Sequence, residues 1–188
     1  LATVAQDVKI QVEFNPATVK EYRLVGYTNR TLRNEDFNND KVDAGDIGAG
    51  HSVTAIYEII PQGKHGWLEE SRYQKVPAAK GSKNEYAFVK VRYKLPGQKD
   101  SQLIQQAVPV GSKPLDQADK DTLLALAAAS YAQALRGGEY NGKLNWNDIE
   151  NMVQKVQGDD PFGLKSEFLQ LVRTAAGHGE TSGPLVKE

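Results

Sequence analysis

The residues with the most potential for chemistry lie in an acidic segment, residues 34–51, which is rich in aspartate, asparagine and glycine. Asp36, Asn38 and Asp40 place side-chain oxygens at alternate positions. This is the spacing of the first three ligands in an EF-hand calcium loop, where carboxylate and amide oxygens bind the hard cation. The segment is therefore the first candidate for a binding site.

The rest of the segment departs from the EF-hand pattern. An EF-hand loop needs glycine at its sixth position and a bidentate glutamate at its last, where this chain has Lys41 and Ile47. The flanking patterns are also strands and not helices. Two interpretations remain: another calcium geometry using Asp36, Asp40 or Asp43, and an acidic loop whose side chains bond to nearby backbone amides, which we favour.

Other catalytic patterns are absent from the sequence. The three histidines, at positions 51, 65 and 178, are too far apart for an HExxH zinc site. The absence of cysteine excludes disulfides, thiolate metal sites and a thiol nucleophile. There is no Gly-x-Ser-x-Gly elbow, and residues 45–50 lack the Lys-Ser/Thr of a phosphate loop. We predict no catalytic, cofactor-binding or metal-binding residue, and we expect that the chain is not an enzyme.

Paired carboxylates and aromatic residues have structural interpretations as well as functional ones. We interpret Glu69-Glu70 as part of a solvated loop and Asp159-Asp160 as a helix cap. Trp67 and Tyr73 lie in the polar segment 64–84. Exposed aromatic residues are favoured at protein interfaces, so these two are candidates for partner contact or for local packing of the loop.

Composition narrows the class of protein. The 188 residues carry a formal net charge of −1, which does not suggest binding to nucleic acid, because phosphate binding usually needs a basic excess. No apolar run approaches the roughly 18–20 residues that span a bilayer. The chain opens almost directly in a strand pattern, so we expect a fragment of a longer protein with any targeting signal upstream.

The elements that position these residues follow from the periodicity of the apolar side chains. Strict alternation over residues 8–14 predicts a half-buried strand. Similar patterns predict further strands over residues 22–27, 53–60, 86–94 and 103–108.

After residue 120 the period changes to that of helices. On the first helix, over residues 122–136, the predicted inner face consists of Leu124, Ala127, Tyr131, Ala134 and Leu135. On the second, capped by Asn145, it consists of Ile149, Met152, Val153 and Val156. On the third, opened by Asp160-Pro161 and stopped by Gly177, it consists of Leu164, Phe168, Leu171, Val172 and Ala175.

These elements predict an α+β protein, with an antiparallel β-sandwich-like N-terminal half followed by a three-helix C-terminal part. The expected boundaries are a sandwich-like region over residues 1–110, a linker over 111–119, a helical region over 120–177 and a flexible tail over 178–188.

Several stretches resemble a known bacterial family. They are residues 8–16 and 22–27, the long motif over 35–58, the strand over 89–96, the helix reaching Leu135-Arg136, and residues 162–171. Together they resemble the C-terminal region of bacterial von Willebrand factor type A domain-containing proteins of the YfbK type. The resemblance covers nearly the whole chain, and it is weakest over residues 64–84 and in the tail.

The resemblance implies a domain context and a cellular location, but it gives no site residues. In such proteins the A domain comes first, and the family is known for exported or membrane-anchored proteins. The A domain's Asp-x-Ser-x-Ser adhesion motif is absent here, so no adhesion-site residue is carried over. The implied location is periplasmic, or membrane-anchored and facing the periplasm or the outside. No membrane insertion by this fragment is expected.

We therefore expect a non-catalytic accessory or protein-interaction module that packs against the A domain of the same parent chain, with another envelope protein as a second expected partner. This hypothesis predicts an apolar or aromatic patch where the partner docks. The alternative is a module that binds a small molecule, a glycan or calcium through the acidic segment and the region of Trp67. An unrecognised enzyme would require clustered carboxylates or histidines, and the sequence gives no such cluster.

Overall fold

The computed structural model describes residues 2–26, 34–42, 44–68, 82–138, 141–142 and 144–179. The chain divides into two compact units, Leu1–Ser112 and Lys113–Glu188. The described residues of the first form strands and a short 3-10 helix, and the second contains the α-helices. The predicted α+β class, with an antiparallel N-terminal half followed by three helices, is confirmed.

The β unit contains six described strands in two antiparallel sheets. The strands are β1 (Thr3–Phe14), β2 (Val19–Leu24), β3 (Gly45–Gly48), β4 (Tyr57–Pro61), β5 (Glu85–Lys94) and β6 (Gln102–Pro109). A four-stranded sheet has the order β3-β1-β5-β6, and β2 pairs with β4 in a separate two-stranded sheet. A short 3-10 helix, Asn34–Asn38, precedes β3.

The register of the four-stranded sheet separates charged from apolar residues. In the pairing of β1 with β5, Lys9 lies opposite Arg92 and Ile10 lies opposite Val91. Because successive side chains point to opposite faces, one face carries lysine and arginine, and the other carries aliphatic residues. The charged face contains Lys9, Lys90, Arg92 and Lys94, and the apolar face contains Ile10, Val12, Phe14, Val89, Val91 and Ile104.

Aromatic rings join the two sheets at one end of the apolar face. The ring of Phe14 stacks on that of Tyr22 in β2, with centroids 4.1 Å apart. It meets the ring of Tyr57 in β4 edge-on at 5.3 Å. The two-stranded sheet therefore contacts the apolar face at its Phe14 end, where Ala87 of β5 is buried.

The helical unit consists of α1 (Lys120–Leu135), α2 (Trp146–Lys155) and α3 (Leu164–Gly179). Asp119 caps α1 by accepting a hydrogen bond from the backbone N–H of Thr122. Asn145 caps α2 in a reciprocal capping box with Asp148. Such caps satisfy backbone donors that have no partner within the helix. The predicted Asn145 cap is thus observed.

A contiguous apolar core joins the three helices. It consists of Leu123, Ala127, Ile149, Met152, Val153, Val156 and Val172. The ring of Tyr131 packs edge-on against Trp146 and Phe168, with centroids 6.1 and 5.5 Å apart. The four apolar residues predicted for α2, at positions 149, 152, 153 and 156, are all buried.

Several helical predictions were wrong in detail. Pro161 lies in a turn and does not open α3, because Gly163 has a positive φ of 70° and the helix begins at Leu164. Asp160 still caps α3, since its carboxylate accepts hydrogen bonds from the backbone N–H groups of Lys165 and Ser166. The helix continues through the predicted stop at Gly177 to Gly179.

Burial on the helices also differs from the prediction. Leu164, Leu171 and Leu135, predicted to face the core, are exposed. Leu123, which was not predicted to face the core, is buried. Helical periodicity identifies an apolar stripe, but the packing of neighbouring helices decides how much of the stripe is covered.

The strand predictions differ from the structure at several places. The strand predicted from residue 8 begins at Thr3, and the strand predicted over residues 22–27 spans Val19–Leu24. The four residues of β3 were predicted as loop. The strand predicted from residue 53 begins at Tyr57. Asp43, Tyr73, the Glu69-Glu70 pair and the tail residues 180–188 lie outside the described residues. No helix among the described ranges combines the length and apolar character needed to cross a bilayer.

Candidate interaction surfaces

Lys9 lies beneath the acidic segment and is only 2% exposed. Its ammonium donates hydrogen bonds to the backbone carbonyl oxygens of Asp36, at 3.4 Å, and Asn39. These carbonyls lie in and just after the last turn of the 3-10 helix. Each also accepts a backbone hydrogen bond, Asp36 from the N–H of Asn39 and Asn39 from the N–H of Val42. Lys9 therefore supplies, among these loop oxygens, the positive charge that a bound metal cation would otherwise supply.

Two more cations of the charged face hold the same segment. The ammonium of Lys94 lies 2.7 Å from a carboxylate oxygen of Asp7 and donates to the carbonyl oxygen of Asp40 at 2.8 Å. The guanidinium Nε of Arg92 lies 3.3 Å from a carboxylate oxygen of Asp40. The acidic segment is thus tied to the sheet by ion pairs and carbonyl contacts.

The neighbouring Ser101 and then Arg92 hold the pKa of Asp40 below its ordinary value of 3.8, while burial acts in the opposite direction. A hydrogen bond or an opposite charge favours the ionised carboxylate. Asp40 is therefore an ionised partner of the sheet cations at neutral pH.

These contacts decide which carboxylates of the acidic segment remain available to a calcium ion. Among the residues the structure describes, no group of three or more histidine, aspartate or glutamate residues could hold a metal ion. The carboxylates of Asp7 and Asp40 contact lysine and arginine, and Asp43 lies outside the described part. Lys9 was missed from sequence because a lysine in an alternating strand normally faces solvent, and its position opposite Arg92 beneath the acidic segment is known only from the structure.

The apolar face of the four-stranded sheet is open at the end away from Phe14. The register aligns Ile10, Val91 and Ile104 in one row across β1, β5 and β6. Ile10 is 49% exposed and Ile104 is 54% exposed. Contiguous exposed aliphatic side chains are uncommon on monomeric proteins and mark interaction sites. We name Ile10, Val91 and Ile104 the apolar row.

Trp67, for which partner contact and local packing were both open, is a second exposed element of the β unit, at 40% exposure. The carboxylate of Glu21 accepts hydrogen bonds from the backbone N–H groups of Trp67, at 2.6 Å, and Leu68, at 3.3 Å. The guanidinium of Arg23 lies 5.7 Å from the centre of the tryptophan ring. A Cβ at Gly66 would lie 1.8 Å from a carboxylate oxygen of Glu21, so a larger residue there would force the Glu21 side chain to move.

The helical unit has an open groove of about 540 Å³. Its walls come from the end of α1, the start of α2 and the end of α3: Tyr131, Ala134, Leu135, Gly137, Trp146, Leu171, Thr174, Ala175 and His178. The exposed leucines at positions 135 and 171, which were predicted as core, line this groove. The groove is a further apolar surface that the helices leave uncovered.

The three histidines do not form a site. All three are exposed: His51 and His65 belong to the β unit, and His178 lies in the last turn of α3. His65 joins Lys20, Gln62, Gly63 and Lys64 around a shallow polar hollow of about 340 Å³.

Comparison with known proteins places the chain in a family. The family model described as "Uncharacterized protein YfbK, C-terminal" matches residues 1–177. A curated relative, "Uncharacterized protein YfbK" of Escherichia coli (strain K12), is 44% identical over 181 residues, which cover 94% of this chain and 31% of the relative. The chain thus spans about a third of that relative's length. No solved structure matches. Since both the family model and the relative cover almost the entire chain, this chain belongs to the family of YfbK C-terminal domains.

Proposed function

We propose that the chain is a non-catalytic accessory module that docks on a von Willebrand factor type A domain of its parent protein, in the periplasm or on a membrane-anchored protein facing it. The observation that carries the proposal is the open apolar row of Ile10, Val91 and Ile104. The resemblance to proteins in which an A domain precedes this region supports the choice of partner.

The apolar row suits a folded domain as its partner. Its three side chains come from three neighbouring strands, so they form a nearly flat patch and not a cleft. Flat apolar patches rimmed by polar residues are typical of protein–protein interfaces, whereas small ligands are usually enclosed in concave pockets. The proposed interface therefore has the apolar row at its centre.

The non-catalytic part of the proposal is supported by the charged groups of the β unit. Lys9, Arg92 and Lys94 contact the acidic segment, and their partners are carbonyl and carboxylate oxygens of the chain itself. A catalytic site usually holds titratable groups beside a cleft. Here these groups fasten a loop to a sheet.

The test is isothermal titration calorimetry of the chain against the isolated A domain of its parent protein, with and without calcium. The key variant is Ile10→Glu, which places a charge in the apolar row. We expect it to weaken binding by at least about tenfold, since a charge desolvated without a partner opposes association.

The matched control is Gln11→Glu, which adds the same charge to the same strand on the opposite face. We expect it to change affinity by less than about threefold, as for a residue outside the interface. Absence of binding under either calcium condition would refute the A domain as partner. Binding that both variants weaken equally would refute the apolar row as the contact.

A further inference from the structure

β6 forms an unprotected edge of the four-stranded sheet. It pairs with β5 on one side, and no strand among the described residues pairs with its other side. Seven of its eight residues keep an unbroken register with β5, from Ala87–Val108 to Tyr93–Gln102, and the one register shift precedes Pro109 at its end. Residues 101–112 contain no charged side chain. Leu103 and Ile104, on opposite faces, are both about half exposed.

The opposite edge of the same sheet differs in each of these respects. β3 has four residues, two of which are glycine, and it carries Asp46. Its pairing with β1 is interrupted by two register shifts. Short length, bulges and charges are the features by which proteins keep sheet edges from pairing with other chains. β3 has these features and β6 lacks them, apart from Pro109 at its end.

The hydrogen bonds define which backbone groups of β6 point outward. The N–H of Val110 donates to the carbonyl oxygen of Asn84, on the β5 side. Because backbone groups alternate between the two sides of a strand, the even-numbered residues of β6 bond to β5. Leu103, Gln105 and Ala107 then present both N–H and C=O to the free edge, where the C=O of Ala107 already accepts one hydrogen bond from the side-chain amide of Gln106 at 3.0 Å. Pro109 has no N–H group, so the outward-facing backbone groups of β6 are centred on Gln105.

We propose that β6 pairs with β6 of a second copy of this chain, in antiparallel orientation, about a two-fold axis at Gln105. In this register Leu103 lies opposite Ala107 of the second copy, and Gln105 lies opposite its own equivalent. All outward N–H and C=O groups of residues 103, 105 and 107 are satisfied in hydrogen-bonded pairs. The two sheets become one continuous sheet of twice the width.

The absence of charged side chains on β6 favours β6 of a second copy of this chain as its partner strand. A partner strand with a charged residue opposite Leu103 or Ile104 would lose part of that charge's hydration without gaining an ion pair. β6 itself has no charge anywhere along the pairing region. Two-fold pairing also closes the assembly, since both copies use the same surface and no outward edge remains on either β6. The inference does not depend on the proposed docking to an A domain.

The test is sedimentation-velocity centrifugation of the chain from about 1 μM to about 1 mM, the range in which weak dimers form. We expect a reversible dimer. Gln105→Lys and Gln105→Glu each place like charges directly opposite one another at the axis, so each variant alone should associate about fivefold or more weakly. An equimolar mixture of the two variants should restore the dimer, because lysine then faces glutamate.

Gln98→Lys serves as control, since it adds the same charge in an exposed turn outside β6 and should leave association unchanged. Far-UV circular dichroism of every variant verifies that the sheet is retained. A monomer at all concentrations would overturn the proposal. So would a dimer that neither substitution at Gln105 weakens, or one that the mixture does not restore.

Discussion

The two units of this protein differ in how far they bury their apolar residues. In the helical unit, Ile149, Val153 and Val172 are completely buried by neighbouring helices. In the β unit, the buried aliphatic and aromatic residues among those described are Val19, Phe37 and Ala87, and the most buried large side chain is Lys9.

The difference shows where each unit leaves apolar surface uncovered. The helical unit encloses most of its apolar stripe and leaves a groove at one end. The β unit uses its charged face to hold a loop and leaves aliphatic side chains of its other face exposed. Since burial of exposed apolar surface is favourable, both the apolar row of the β unit and the groove of the helical unit favour association.

The largest expected effect comes from making the same substitution in both units. Ile149→Ala should lower the free energy of unfolding of the helical unit by about 2–5 kcal/mol, because it leaves a cavity in a closed core. Ile104→Ala should change the free energy of unfolding of the β unit by less than about 0.5 kcal/mol, because the side chain is already half in water.

Urea denaturation can measure the two units separately, since each contains one tryptophan, Trp67 in the β unit and Trp146 in the helical unit. Fluorescence in Trp146→Phe and Trp67→Phe backgrounds would report the β and the helical unit, respectively. If Ile149→Ala and Ile104→Ala lowered the free energy of unfolding equally, the apolar row would be buried in solution. The two units would then not differ in how they bury apolar residues.

A smaller effect is expected at the charged face. Lys9→Met keeps most of the side-chain volume but removes the charged donor to the carbonyl oxygens of Asp36 and Asn39. We expect a loss of about 1.5–3 kcal/mol in the free energy of unfolding, the range for hydrogen bonds to charged groups. Thermal and urea denaturation followed through Trp67 would measure it.

Lys41→Met is the matched control, because Lys41 belongs to the same segment with an exposed side chain, and it should change the free energy of unfolding by less than about 0.5 kcal/mol. A Lys9→Met variant as stable as the wild type would mean that the cost of burying the ammonium cancels its hydrogen bonds. The charged face would then not stabilise the β unit.

The smallest expected effect is a difference in acid sensitivity. The pKa values of Asp119 and Asp160 in the helical unit are lowered mainly by hydrogen bonds from backbone N–H groups at Thr122 and Ser166. A carboxylate with a lowered pKa stabilises the folded state above its ordinary pKa of 3.8, and this contribution is lost as the pH falls through the lowered folded value. Both aspartate caps of the helical unit, Asp119 and Asp160, should therefore weaken below about pH 4.

Urea midpoints followed through Trp146 between about pH 6 and about pH 3 would test this. Asp160→Asn should lower stability at the upper pH and flatten the pH dependence, by less than the effect of Ile149→Ala. Asp159→Asn is the control, since its carboxylate accepts no hydrogen bond from the described part of the chain. An unchanged pH slope in Asp160→Asn would show that this cap does not contribute.

Much of the fold was predictable from the sequence because it rests on local patterns. Alternation over residues 8–14 and 86–94 predicted the two central strands of the four-stranded sheet. The Asn145 cap and the four apolar residues after it predicted α2 and its buried face. The mismatch with an EF-hand was also visible from Lys41 and Ile47 alone.

The sequence by itself therefore determined the element types, the two faces of each strand and the absence of familiar catalytic motifs, because side-chain period and capping are properties of a few neighbouring residues. Only the tertiary structure decided that Lys9 is buried under the acidic segment, that Leu171 faces an open groove and that β6 ends the sheet. Each of these depends on which distant element packs against a given face. Burial and pairing are thus set by contacts between residues far apart in the chain, and no local pattern encodes them.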